Sequence, residues 1–172
     1  MITLRRIRIA LFASISSLVL VACGPVFTRQ NFAQLSPADV YDVAPQLDPR
    51  LDERVSGGEL AVLLRGKTLV TRSLSNPREL QYGYFGADGS LVISPRSGST
   101  VFGRWDIVSG GLCYSLESGD FCSNVHAATI VENGQPGQVL YFARQNTGQP
   151  TVIFSDILPG FQFPSGRSGA AG

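Results

Sequence analysis

The chain has 172 residues, 16% of them charged, with 14 Lys and Arg against 13 Asp and Glu and a formal net charge of +1. There is no basic excess to hold nucleic-acid phosphates or anionic lipid heads, which argues against both as electrostatic partners. The 19 Gly and 10 Pro, with 44% hydrophobic residues, fit one domain of short strands and many turns, with tails.

The first predicted element is residues 1–22. Arg5, Arg6 and Arg8 precede an uncharged run from Ile9 to Ala22. A basic start followed by an apolar stretch of this length is the order of a secretory signal, and it is short for a bilayer span of roughly 20 residues. The run ends Leu20-Val21-Ala22-Cys23, which resembles the lipobox of bacterial lipoproteins. That resemblance implies cleavage before Cys23, a diacylglycerol on the Cys23 sulfur and acylation of the new amino terminus. Several acyl chains anchor durably where one anchors marginally, at about 0.8 kcal/mol per buried methylene. Gly24 stands where an aspartate would imply inner-membrane retention, so the resemblance implies the periplasmic face of the outer membrane. The inner or sole cell membrane is the alternative. A plain cleaved signal and an uncleaved anchor are the competing readings. Cysteine parity favours lipidation: of Cys23, Cys113 and Cys122, modifying the first leaves an even pair. Losing the three early arginines leaves a formal charge of −2 on the chain from Cys23 onward.

Residues 23–56 carry Pro25, Pro37, Pro45 and Pro49 and read as a lipidated terminus with a proline-containing tether, part of which packs on the domain. Within it, Ser36-Pro37 has the cap-then-proline order of a short helical turn. Ser56 and Glu59 have capping-box spacing. Leu60, Leu63 and Leu64 then share one helical face, and Gly66 is placed for a left-handed stop. This predicts a helix over Gly57–Arg65 whose leucines plug one end of a sheet.

From Lys67 the apolar period becomes two. Strands are expected at Thr68–Ser73, Leu80–Phe85, Ser90–Ser94, Thr100–Val108, Leu112–Glu117, Phe121–Glu132, Gln138–Arg144 and Thr151–Ile157. The short, glycine-rich connections between them require antiparallel neighbours. The expected fold is therefore mainly β, an antiparallel meander over 57–160. It forms a small barrel or half-barrel, lipocalin-like in outline, with one short helix before the first strand. Residues 161–172 read as a flexible tail.

One hairpin is predicted in register. A two-residue turn at Ser118-Gly119 sets Leu112 opposite Val125, Tyr114 opposite Ser123 and Leu116 opposite Phe121. Cys113 and Cys122 then lie on one surface but diagonally, about 7–8 Å apart. A register shifted by two pairs them directly at the cost of the apolar matches. An oxidised pair is expected in either register if the chain is exported.

Phe102-Gly103-Arg104-Trp105, Gly111-Leu112-Cys113-Tyr114 and Cys122 form a G-x-W…G-x-L-C…C pattern. From about Gly58 to Cys122 the chain resembles small exported alphaproteobacterial domains of unknown function. The resemblance implies a small antiparallel β domain with a hairpin disulfide and carries no catalytic residue.

Val101, Gly103, Trp105 and Ile107 share a strand face, which favours Trp105 as a core anchor over a ligand platform. His126, the single histidine, has no nucleophile motif nearby. The spacing of Cys113 and Cys122 is unlike that of zinc ligands, and no phosphate-cradling glycine loop is present. No cofactor and no metal are expected. Three functions follow in order. The first is a non-enzymatic lipoprotein whose periplasmic β domain is a structural or binding module for an envelope protein or other envelope component. The second is a barrel binding a small apolar ligand near Tyr82, Tyr84, Trp105 and Tyr141. The third is a hydrolase using His126 or a carboxylate pair drawn from Asp106, Glu117, Asp120 and Glu132.

Overall fold

The computed structural model describes residues 35–95, 99–132 and 134–163. The expected signal segment 1–22, the expected lipidation site Cys23 and the part of the expected tail from residue 164 onward lie outside them.

The described part of the expected tether is folded. Helix α1 (Pro37–Val43) starts at a full capping box: the Ser36 hydroxyl accepts from the Asp39 amide, and Asp39 Oδ2 accepts from the Ser36 amide at 2.8 Å. Pro37 occupies the first turn, where its missing N–H removes no helical bond. A 3-10 turn (Ala44–Gln46) follows. Leu35, Val40, Val43 and Leu47 form a stripe packed on Ala128, Ile130, Val139, Tyr141, Ala143 and Ile153. Strand β1 (Glu53–Arg54) then pairs antiparallel with the middle of a long strand at Ala127 and His126. This stretch reads as a linker in sequence because of its prolines, yet two of them sit in or beside helical first turns.

Helix α2 (Gly57–Leu64) has a second capping box, between Ser56 and Glu59. Leu60 and Leu64 are fully buried, and Leu63 nearly so. Gly66, at φ +69°, turns the chain out of the helix and donates to the Phe85 carbonyl at 2.7 Å.

Eight strands follow: β2 (Lys67–Ser73), β3 (Leu80–Phe85), β4 (Ser90–Pro95), β5 (Val101–Val108), β6 (Gly111–Leu116), β7 (Gly119–Glu132), β8 (Gln135–Arg144) and β9 (Pro150–Pro159). Each pairs antiparallel with its sequence neighbour, and β2 pairs with β9, so the meander is a closed eight-stranded barrel. Among the described residues, closure leaves β1 as the one extra strand, laid on the edge of β7 beyond its pairing with β6. Further along that edge the Gln46 side chain acts as a strand substitute. Its Oε1 accepts from the Val131 amide at 3.1 Å and its Nε2 donates to the Val131 carbonyl at 3.4 Å.

The register shifts between Val70 and Thr71 opposite Asp156 and Phe154, so Ser155 bulges and both Phe154 and Ile157 face the core. The main core joins the α2 leucines to Leu69, Phe85, Leu91, Trp105, Leu112, Val125, Leu140 and Phe154. Trp105 is an anchor here. Its ring meets Phe85 edge-on at 5.5 Å, and its Nε1 donates to the Gly86 carbonyl at 3.0 Å. Gly103 permits the close approach of β5 to β6, because a Cβ there would collide with the Ser115 carbonyl oxygen.

The hairpin register differs from the favoured expectation. The turn is Glu117-Ser118, Leu116 faces Gly119, and Cys113 faces Cys122 directly with a disulfide between them. Their Cα atoms are 4.1 Å apart, the narrow kind of antiparallel pair. The observed register gains an aromatic match, since Tyr114 now faces Phe121 and the rings stack at 5.3 Å. That stacking, with the disulfide beside it, replaces the apolar matches on which the other register rested.

The start of the expected tail is also packed. Phe161 meets Tyr84 edge-on at 5.1 Å and Phe163 meets Tyr82 at 6.4 Å. The Gln162 amide donates to Thr68 Oγ1 at 2.9 Å, and that hydroxyl donates to the Gly160 carbonyl at 2.7 Å. The pairing of donor and acceptor explains how Thr68 is fully buried without cost.

Candidate functional site

Strand alternation sorts the barrel wall into two faces. Leu69, Gly83, Phe85, Leu91, Ile93, Leu112, Tyr114, Phe121 and Phe142 face inward. At one end α2 fills the interior. At the other, where Thr71, Gln81, Ser123, Arg144 and Thr151 stand, the interior is open and forms a cavity of about 680 Å³. That volume lies within the range of ordinary small-molecule pockets, roughly 300–1,000 Å³. The walls are mostly apolar, and the polar groups are concentrated at the mouth.

Two elements build the mouth. The β6–β7 hairpin is cross-linked by Cys113–Cys122 just behind Phe121 and Ser123. The β8–β9 connection is tied to that hairpin: the Gln145 amide donates to the Cys122 carbonyl at 3.3 Å, and Gln145 Nε2 donates to Asn124 Oδ1 at 3.3 Å. Gly111 is required beneath this loop, because a Cβ would collide with Gln145 Nε2. The disulfide therefore holds one lip of the cavity and, through the Cys122 carbonyl, steadies the other.

Inside, Tyr114 is half-buried, and burial holds its phenol above the ordinary value, with the Arg144 charge acting weakly in the other direction. It therefore stays an O–H donor at neutral pH.

None of Tyr82, Tyr84, Trp105 and Tyr141 lines this cavity. Tyr82 and Tyr84 lie on the outer face under Phe163 and Phe161, and Trp105 is in the core beside α2. Tyr141 is fully buried on the outer face beneath α1. The structure thus does not bring the four together, and the residues that do line the space are Phe121, Phe142 and Arg144, with Tyr114 among them. The signal that could have found them is the pairing of Phe142 and Arg144 on one strand face, apolar then cationic, at a strand end.

His126 belongs to a different cluster. Its ring stacks on Tyr141 at 5.5 Å, and Nδ1 donates to the Asp52 carbonyl oxygen at 3.4 Å. The Asp52 carboxylate accepts from the Tyr141 hydroxyl at 2.7 Å and from the Asp48 amide at 2.8 Å. Burial lowers the His126 pKa against the opposing pull of Asp52. Burial also raises that of Tyr141, with the Asp52 hydrogen bond in the same direction. The carboxylate engages tyrosine and not imidazole, so this is not the arrangement of a nucleophile relay. It clasps the chain before β1 to the barrel wall.

Among the described residues no group of three or more His, Cys, Asp or Glu is placed to hold a metal ion, and no described helix is long and apolar enough to cross a membrane. A second, polar groove on the outside runs past Arg65, Asp88, Arg104 and Asp106. Compared with protein families, curated proteins and solved structures, the chain matches none.

Proposed function

We propose that the domain binds a small, mainly apolar molecule inside its barrel and does so from a lipid anchor at Cys23, on the periplasmic face of the outer membrane. The observation that carries the binding reading is the interior itself: stoppered by α2 at one end and, at the other, left with an open cavity of about 680 Å³ that its inward side chains line without filling. A barrel built only as a structural module fills its interior with side chains. Ligand binding therefore ranks above the envelope-scaffold reading, which shares the same address. The Cys23 anchor rests on the lipobox resemblance and cysteine parity.

The test of binding is fluorescence titration with the neutral probe N-phenyl-1-naphthylamine, for the wild-type chain and for Ser123→Phe, which places a ring in the cavity. Saturable enhancement with the wild type and its loss in the variant supports the reading. Equal response from both, or none from the wild type, refutes it. The anchor is tested separately by the mass of the chain extracted from membranes. An unmodified Cys23 thiol or a retained leader refutes it and leaves the binding reading untouched.

A further inference from the structure

We infer that the molecule held in the barrel is an amphiphile with one anionic end, its apolar body inside and its head against Arg144 and Tyr114 at the mouth. This rests on the binding reading above. The gradient of the lining carries it. Next to α2 the wall is Leu69, Phe85, Leu91 and Leu112, followed by Ile93, Phe121 and Phe142. Charge enters only at the lip.

Arg144 follows Phe142 by two residues on β8, so its side chain rises from the same inward face, directly over the apolar space. Among the described residues its guanidinium has no carboxylate within 4.0 Å. Asp120, the acid at the lip, precedes inward-facing Phe121 and leaves its strand on the opposite face. Asp120 thus also borders the mouth, but it stems from the outer face and forms no ion pair with Arg144, which leaves the guanidinium, rising from the inward face, to meet a ligand's anion. The Tyr114 hydroxyl adds a neutral donor close enough to sense the Arg144 charge. A guanidinium fork with a phenol donor matches a carboxylate or a phosphate monoester, and a charge-assisted bond to either is about twice as strong as a neutral one. A neutral apolar molecule leaves both donors unused, and a cationic one meets like charge.

The test compares cis-parinaric acid, a fluorescent long-chain carboxylate, with its methyl ester, and reads the ratio of their affinities within each protein. For the wild type we expect the acid to bind at least tenfold more tightly. Arg144→Gln brings the ratio near one, Arg144→Lys restores part of it, and Tyr114→Phe lowers it severalfold. Equal affinities for acid and ester in the wild type overturn the inference, as does a ratio that survives Arg144→Gln. N-phenyl-1-naphthylamine separates the two failures. If the wild type binds that neutral probe but shows no preference for the acid, only the anionic head is wrong. If it binds neither probe, the cavity reading falls as well. Dodecyl phosphate as competitor then separates phosphate from carboxylate: stronger displacement than by dodecanoate assigns a phosphate head, weaker displacement a carboxylate, and no displacement by either overturns the inference.

Discussion

Replacing Cys113 and Cys122 together by alanine removes a cross-link between residues nine apart in sequence. In the chain-entropy description, closing a loop of about ten residues restricts the unfolded chain by about 2.7 kcal/mol at 25 °C. The cysteines face each other directly, so the lost side-chain contact adds little, and a Val–Thr pair in their place should recover less than about 1 kcal/mol. For a folded region of this size the loss lowers the melting temperature by roughly 8–14 °C. Urea unfolding followed by Trp105 emission measures it well. Trp105 is the single tryptophan, 7% exposed and packed on Phe85, so its signal reports the core and not the mutated hairpin. The alanine pair should unfold at lower urea with a slightly larger denaturant slope, because the uncrosslinked chain exposes more surface. A loss below about 1 kcal/mol would show that the hairpin stays closed in the unfolded chain and would refute the entropic account. A loss above about 5 kcal/mol would refute it from the other side, by showing that the bond carries native structure beyond its own loop.

Gly103→Ala forces a Cβ against the Ser115 carbonyl and should cost about 1–3 kcal/mol in the same urea assay, while Gly58→Ala, with open space around it, should be near neutral. Stability should fall on acidification from about pH 6.5 downward. The folded His126 pKa lies below the unfolded value, so the unfolded chain takes up the proton first; stability is complete above the unfolded pKa and declines as pH drops towards the folded one. His126→Gln should flatten that portion of the pH profile, and an unchanged profile would refute the assignment. Gln46→Ala should cost about 1 kcal/mol and speed hydrogen exchange at the Val131 amide, which loses its acceptor. Asp52→Ala unpairs the buried Tyr141 hydroxyl and the Asp48 amide together, and should cost about 2–3 kcal/mol with faster proteolysis before β1.

The barrel strands were legible from Thr68 onward because alternation and glycine-rich turns recur at short intervals, and α2 because its cap, leucine face and stop agree. The inward face was not legible. On β3, Tyr82 and Tyr84 are as apolar as Gly83 and Phe85, since Phe161 and Phe163 cover the outside of that strand. The same holds on β8, where α1 covers Val139 and Tyr141 while Leu140 and Phe142 face inward. With both faces apolar, period two finds a strand without saying which side is the core. That is why the aromatic residues chosen from sequence fell outside the cavity. In the stretch from Leu35 the Ser36-Pro37 helical start was legible, but the prolines masked how much of it is folded, although Val40, Val43 and Leu47 keep a helical spacing. The hairpin register turned on two competing matches, apolar pairs against cysteine pairs, and sequence alone does not weigh them.

The seam between β2 and β9 has a consequence for the order of assembly. Every other junction of the ring joins neighbours that meet soon after both are made, but the Thr68–Gly160 hydrogen bond spans 92 residues. The ring cannot shut until nearly the whole domain is present, so a chain interrupted before Pro150 is left as an unrolled ribbon with two bare margins, open to pairing with a second such ribbon.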